Sequence, residues 1–151
     1  MEDKRPCILF MPRKLLGSTK NAVLLVSSRI GRHDFFHGIF RDSPWELQRT
    51  WDEREALDTI LDRHPKIGVV ICEYSYRRYS WKFLLAEWNK TEVPPKLIVT
   101  SGVADKRELA ESQDLGVFDF LLDAPFDPDE VLRVTQRAWV ASQASHPVNV
   151  L

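Results

Sequence analysis

Apolar runs that alternate with helix-patterned segments constrain this chain more than any other feature. Continuous apolar runs predict strands that are buried on both faces, and one further segment alternates as a strand would. The segments between them carry apolar residues at helical spacing. Helices that connect such strands predict a parallel sheet covered on both sides, which is an α/β fold. The predicted strands are 22–28, 45–51, 67–73, 96–102 and 117–123, and the predicted helices are 33–43, 52–65, 80–95, 104–116 and 127–143.

The length and the ends of the chain indicate one domain with two appendages. Its 151 residues, of which 44% are hydrophobic, suffice for one core. Residues 1–20 show no sustained periodicity and contain two prolines and a glycine, so we predict an N-terminal arm. The alternating pattern occupies 21–143, and we predict a C-terminal tail at 144–151.

Charge and cysteine content narrow the classes of partner. The formal net charge is -1 and 28% of the residues are charged, which provides no general attraction for nucleic acid or for an anionic membrane. No apolar run reaches the roughly 18 residues that span a bilayer. Cys7 and Cys72 lie far apart and lack metal-ligand spacing, so we expect reduced thiols and a cytoplasmic protein.

Known catalytic motifs do not occur in the sequence. It contains no GxGxxG, Walker, GxSxG or HExxH pattern. His33, His37, His64 and His146 share neither a face nor a metal-binding spacing, and Cys72 within an apolar run is typical of a core residue. We therefore predict no catalytic residue, no metal site and no cofactor, and we do not expect an enzyme.

Polar residues follow the predicted strands at their carboxyl ends. In open parallel sheets, binding sites lie beyond these ends. Ser27 and Ser28 end the first strand, Glu73 ends the third, Thr100 lies near the end of the fourth, and residues 123–125 follow the fifth. We expect these residues to form the site, with Glu73 as its charged member.

Three stretches of the chain resemble the receiver domain of two-component response regulators. LIVTSG (97–102) is similar to the fourth strand of that family, GVFDFLLDAPFDPDEVL (116–132) to its fifth strand, turn and last helix, and WDEREALDTILDRHP (51–65) to its second helix. The resemblance covers about residues 20–143. It implies a flavodoxin-like doubly wound (βα)5 fold, which is a three-layer sandwich around a five-stranded parallel sheet.

In that family, a strand-three aspartate accepts a phosphoryl group from a histidine kinase. Two acids after strand one help it to bind Mg²⁺, and a strand-four hydroxyl and a strand-five lysine bind the phosphoryl oxygens. The resemblance places the phospho-acceptor position at Glu73, the two acids at Ser27 and Ser28, and the switch residues at Thr100 and Phe120. Serine hydroxyls carry no charge and are weak ligands for Mg²⁺, so we expect no metal there.

The lysine position falls on Asp123 or Ala124, because the DAP turn is one residue longer than is usual in the family. Neither side chain can supply a positive charge to a phosphoryl group. The resemblance therefore implies a degenerate, stand-alone receiver that keeps the fold, loses phosphoryl transfer and signals through protein contact. The implied partner is a histidine kinase, a downstream signalling protein or a second copy, bound through the fourth strand, the fourth helix and the fifth strand. We expect neither a membrane nor a nucleic acid as a partner.

Two residues of the site allow two interpretations each. A Glu73 carboxylate that reaches toward Thr100 could mimic the phosphorylated state, or Glu73 could be a solvated acid that remains at the strand end. Arg29, just after the first strand, is a candidate partner for its charge. Thr100 could keep a switch role, or it could cap the following helix.

The segment EYSYRRYSW (73–81) is a candidate partner loop. Tyr74, Tyr76, Arg77 and Arg78 belong to residue types that are enriched at binding hot spots. They could contact a protein, stack on a nucleotide or on single-stranded nucleic acid, or only cover the next helix. The alternatives to a degenerate receiver are a flavodoxin-like binder of a small ligand or nucleotide, or an enzyme, that uses the strand-end crevice, and a receiver that is still phosphorylated at the third-strand acid or a neighbouring residue.

Overall fold

The computed structural model describes residues 21–62, 67–73, 80–90, 94–101, 110–111, 113–122 and 126–144. One sheet of five parallel strands has helices on both sides, which confirms the predicted alternation. The strands are β1 (Ala22–Val26), β2 (Glu46–Thr50), β3 (Ile67–Glu73), β4 (Lys96–Ser101) and β5 (Asp119–Leu122). The helices are α1 (Ile30–Phe40), α2 (Glu53–Asp62), α3 (Ser80–Trp88) and α4 (Pro128–Ala144), and residues 110–111 and 113–114 are also helical.

The strands are ordered β2-β1-β3-β4-β5, and all neighbours run parallel. The chain first moves from β1 outward to β2 and then returns past β1 to β3, after which each strand adds on the far side. The direction of winding therefore reverses between β1 and β3. In such sheets the crevice beyond the carboxyl ends at this point is where sites form. The predicted flavodoxin-like doubly wound fold is confirmed.

Strand side chains alternate between the two faces of the sheet, and each face builds a core of its own. Val23 and Leu25 of β1 belong to the core under α1 and α4, whereas Leu24 and Val26 belong to the core under α2 and α3. Burial on both faces is the reason that the strand sequences are continuously apolar. The first core also contains Phe36, Phe40, Val131 and Val134, and the second contains Ala56, Trp81, Leu84 and Trp88.

Gly68 in β3 allows a close approach of α4. A Cβ atom at this position would lie 2.3 Å from Cζ3 of Trp139 and 2.9 Å from Oγ of Ser142. Non-bonded atoms do not tolerate such separations, so a larger residue would require the Trp139 ring of α4 to move. The glycine therefore leaves room for the Trp139 ring over the strand that ends in Glu73.

The first predicted helix, 33–43, is displaced in the structure. α1 begins at Ile30 and ends at Phe40, so the prediction was wrong at both ends. The N-cap residue, Arg29, makes no side-chain cap hydrogen bond, and Ile30 is exposed, so neither a cap residue nor apolar spacing marks the true start. At the other end, the N–H of Ser43 donates to the Phe40 carbonyl at 3.1 Å, which closes a turn in place of more helix.

Two further boundaries are also corrected. α3 ends at Trp88, whereas the prediction extended to residue 95. Pro94 and Pro95 are not helical, because proline lacks the backbone N–H that a helix interior requires. β5 begins at Asp119, two residues later than predicted.

Two predicted helix ends are confirmed. α4 begins at Pro128, and Asp127 caps it, since its Oδ1 accepts a hydrogen bond from the N–H of Asp129 at 3.1 Å. Gly116, which was predicted to close the fourth helix, has a φ of 102°, the left-handed conformation typical of glycine after a helix. α4 ends at Ala144, the first residue of the predicted tail.

The two predicted appendages cannot be compared with the structure. The arm at 1–20 and residues 145–151 of the tail lie outside the described residues, as does Cys7. Cys72 is a buried free thiol. No described helix has both the length and the apolar character needed to cross a membrane.

Candidate functional site

The candidate site lies where β1 and β3 end side by side. β1 ends at Val26, two residues earlier than predicted, so Ser27 follows the strand directly. Glu73 is the last residue of β3, and it lies opposite Thr100 of β4 in the sheet register. Because strand side chains alternate, Glu73 shares the face of Ile71, which belongs to the core under α1 and α4. The start of α1 is therefore the nearest source of partners for Glu73.

The Glu73 carboxylate is bound by three residues. The Ser27 hydroxyl donates to Oε1 at 2.5 Å, while Oε2 forms an ion pair with Nη2 of Arg29 and lies 3.4 Å from Nε of Arg32. The Glu73 side chain is only 12% exposed. The predicted pairing with Arg29 is confirmed, whereas the pairing with Arg32 was not anticipated. The carboxylate is thus a paired and largely buried group.

The turn between β1 and α1 brings these donors together. The carbonyl of Arg29 accepts hydrogen bonds from the N–H groups of Arg32 at 3.1 Å and of His33 at 3.3 Å, which starts the helix. The N–H of Arg29 donates to Oγ of Ser27 at 3.1 Å, so this hydroxyl accepts one hydrogen bond and donates another to Glu73. Because Arg29 and Arg32 are three residues apart at a helix start, their side chains lie on one side of α1.

A buried histidine holds the same turn from within the fold. Nε2 of His33 donates to the Ser27 carbonyl oxygen at 2.8 Å, and the His33 ring stacks on Trp51 with ring centroids 3.8 Å apart. His33 is 1% exposed, whereas Trp51 is 44% exposed. His33 therefore positions Ser27 for its contact with Glu73, a role that sequence reasoning missed.

Arg32 connects Glu73 to the segment that follows β5. Its guanidinium carbon lies 5.0 Å from the centroid of the Phe126 ring, which is a cation–π distance. Phe126 is buried and packs against Phe35 and Phe36 at centroid distances of 5.5 Å. The site thus reaches from β1 and β3 to the start of α4.

No protein-family model and no curated protein sequence matches this chain, but solved structures do. A response regulator receiver domain protein from Clostridium thermocellum matches with a TM-score of 0.73 at 16% identity, over 83% of this chain and 99% of that one. The signal receiver domain of an HD domain-containing protein from Pseudomonas fluorescens Pf-5 matches with a TM-score of 0.72 at 21% identity, over 83% and 90%. The chain has the fold of a response-regulator receiver domain. NtrX from Brucella abortus also matches, with a TM-score of 0.71 at 25% identity, over 85% of this chain and 28% of NtrX.

Only part of the predicted receiver site falls within the described residues. Ser27 is hydrogen-bonded to Glu73 at the carboxyl edge, and Thr100, beside Glu73 in the sheet register, is 2% exposed, whereas Ser28 is exposed to solvent. Phe120 lies within β5, next to β4. The positions outside the described residues, whose roles stay predictions, are Tyr74, Tyr76, Arg77, Arg78, Asp123 and Ala124.

The residues at the ends of β1 and β3 do not fit the Mg²⁺ ion of the receiver family. That ion prefers carboxylate oxygens, and the Glu73 carboxylate is already paired with Arg29 and Arg32. Ser27 directs its hydroxyl proton to the same carboxylate. Two guanidinium groups at this place repel a divalent cation. Among the described residues, no three His, Cys, Asp or Glu side chains come together as a metal site would need.

Cys72 shows how sharply the two faces of the receiver sheet differ. It directly precedes Glu73, so its side chain lies on the other face, in the core under α2 and α3. Burial raises the pKa of the Cys72 thiol, and the negative charge of Glu53 raises it further. The thiol therefore stays protonated, and the predicted core role is confirmed.

Proposed function

We propose that this protein is a receiver-fold signalling module that accepts no phosphoryl group and acts by contact with another protein. The observation that supports this function is the pairing of Glu73 with Ser27, Arg29 and Arg32. By resemblance, Glu73 occupies the phospho-acceptor position. Its oxygens are committed to donors from its own chain.

A committed carboxylate is a poor phosphoryl acceptor. Phosphoryl transfer needs an accessible oxygen and positive charge around the transferring group. An attack by Oε2 of Glu73 would first separate it from two guanidinium groups, and an attack by Oε1 would break the hydrogen bond from Ser27. No lysine occurs between residues 117 and 127, so the strand-five charge of the family is also missing. These features favour a fixed carboxylate over a reactive one.

A phosphodonor assay tests the loss of phosphoryl transfer. We expect no phosphoryl mass gain by intact mass spectrometry after incubation with Mg²⁺ and acetyl phosphate or phosphoramidate. A receiver domain that has its aspartate and lysine, treated in parallel, should be phosphorylated. The matched variant is Glu73→Ala. A mass gain on the wild type that disappears in Glu73→Ala would identify Glu73 as a phospho-acceptor and overturn the proposal.

The segment after β3 is the proposed contact with the partner. It carries Tyr74, Tyr76, Arg77 and Arg78, and aromatic and arginine side chains are enriched at the energetic centres of interfaces. The proposed partner is a histidine kinase, a downstream signalling protein or a second copy of this chain. In each case the contact replaces phosphorylation as the way in which the domain transmits its state.

Loss of binding on substitution tests the proposed contact. Arg77→Ala/Arg78→Ala should weaken the complex with a purified partner by about tenfold or more, since truncation of a hot-spot residue costs about 2 kcal/mol or more and about 1.4 kcal/mol corresponds to tenfold. Arg41→Ala serves as the control, because Arg41 is an exposed arginine at the opposite end of α1. Equal affinity of the wild type and the double variant would remove the segment from the interface.

A further inference from the structure

The donors around Glu73 are arranged as an oxyanion receptor would arrange them. Ser27 provides a hydroxyl, and Arg29 and Arg32 provide guanidinium groups, all in contact with one carboxylate. Proteins use these same donors to bind carboxylates and phosphates. The three residues also lie at the start of α1, and the N-terminal end of a helix stabilises negative charge.

We propose that Ser27, Arg29 and Arg32 form an oxyanion-binding site whose resident ligand is the Glu73 carboxylate. When this carboxylate is removed, the site takes a free carboxylate or phosphate ion from solution. The site is independent of the proposed signalling function, because it depends only on the donors and their positions.

Two of the three donors, Ser27 and Arg32, are held by contacts that do not involve Glu73. Ser27 is 3% exposed, and its Oγ accepts a hydrogen bond from the N–H of Arg29 at 3.1 Å. The guanidinium of Arg32 lies over the ring of Phe126, 5.0 Å from its centroid. Ser27 and Arg32 therefore keep their positions when the Glu73 side chain is shortened, and an incoming ion needs to order only the exposed Arg29 side chain.

The site opens to solvent at Arg29. The Arg29 side chain is 57% exposed, whereas those of Arg32 and Glu73 are 21% and 12% exposed. An ion from solution therefore meets Arg29 first. In the wild type, the tethered carboxylate has an effective concentration far above that of a free ion, so the site stays closed to competitors.

Chemical rescue of Glu73→Ala tests the proposal. This variant lacks the carboxylate and leaves space for a small ion, whereas Glu73→Gln fills the same space without a charge. Thermal unfolding is followed in sodium chloride, formate, acetate and phosphate at one pH and one ionic strength. Formate and acetate probe the carboxylate class, and inorganic phosphate probes the phosphate class.

We expect Glu73→Ala to be less stable than the wild type in chloride and to regain stability as an oxyanion is added. An ion at about ten times its dissociation constant multiplies the folding equilibrium constant about tenfold. Only the general effect of salt on stability is expected for three proteins, which are the wild type, Glu73→Gln and Glu73→Ala/Arg32→Gln. The wild-type response is therefore subtracted from that of each variant. Rescue by carboxylates or by phosphate supports the site and identifies the class that fits it better.

An equal response of Glu73→Ala and the wild type to every ion would overturn the proposal. Rescue that persists in Glu73→Ala/Arg32→Gln would also overturn it, because the ion would then bind elsewhere. If Glu73→Ala does not fold in chloride, it is refolded from urea into each ion. Recovery of the wild-type circular dichroism spectrum in an oxyanion but not in chloride supports the site, and failure in all ions argues against it. The phosphodonor assay tests phosphoryl transfer alone, so its result neither supports nor contradicts the oxyanion-binding site.

Discussion

The interior of the sheet and its carboxyl edge follow different rules in this protein. Along β1, β3 and β4, apolar side chains are buried on both faces, as a parallel α/β sheet requires. Where β1 and β3 end, Ser27, Arg29, Arg32 and Glu73 form a polar network instead. The change occurs in one step along β3, between the core residue Cys72 and Glu73.

The fold and the chemistry of the edge therefore depend on separate residues. The receiver fold persists at identities of 16% and 21% with solved receiver domains, because many apolar sequences of suitable size and pattern can build the same interior. The edge is less tolerant, since a largely buried charge needs an opposite charge at a defined place. The chemistry of the edge can therefore change while the fold remains.

The largest effect should come from the interior. Leu24→Ala removes a side chain that is fully buried under α2 and α3, and it should lower the free energy of unfolding by about 2–5 kcal/mol in urea titrations. Ser28→Ala is the counterpart at the edge, where the side chain is exposed, and it should change this free energy by less than about 0.5 kcal/mol. A comparable loss in both variants would show that this edge residue contributes to stability as much as the interior residue does.

An intermediate effect should come from the paired carboxylate. Glu73→Ala leaves Arg32 without this partner in a partly buried place, and it should lower the free energy of unfolding by about 1–3 kcal/mol in chloride buffer. Glu111→Ala is the matched control, because Glu111 pairs with Lys82 at 3.1 Å on the exposed surface. The control should lose no more than about 1 kcal/mol. Equal losses would mean that the edge network is an ordinary surface ion pair.

Substitution of the two arginines should also have unequal effects on stability, with the larger loss at the less exposed one. Arg32 is 21% exposed and rests on Phe126, so Arg32→Gln should lower the free energy of unfolding by about 1–2 kcal/mol. Arg29 is 57% exposed and screened by solvent, so Arg29→Gln should lower it by less than about 1 kcal/mol. Double-mutant cycles with Glu73→Gln isolate each pairing. A stronger coupling to Arg29 would reverse this order of importance.

At neutral pH the smallest effect should come from the ionisation of Cys72, the core residue before Glu73, because its thiol is protonated in both the folded and the unfolded chain. In a Cys7→Ser background, iodoacetamide should label Cys72 only after unfolding, since the thiol is 1% exposed. Because the folded pKa is raised, the unfolded chain loses this proton above about pH 8.5 while the folded chain keeps it. Stability should therefore fall more steeply with rising alkaline pH in the wild type than in Cys72→Ala. Parallel pH profiles of the two proteins would contradict this.

The predictable part of the molecule is the part that local pattern controls. The run at 67–73 predicts β3 with its true bounds, and Asp127 predicts the start of α4. The misplaced start of α1 explains what was missed at the site. Arg32 and His33 lie three and four residues after Arg29, on one side of the helix, but this spacing is visible only when the helix is known to begin at residue 30.

The alternation of strands and helices, the place of Glu73 at the end of the third strand, and the two serines after the first are all visible in the sequence. Each of these depends on residue type and on a period of a few residues. The pairing of Glu73 with Arg32, 41 positions away along the chain, and the contact of Arg32 with Phe126 became visible only in the folded molecule. The physical reason is that strand order and register bring β3 beside β1 and direct Glu73 to the face that α1 covers.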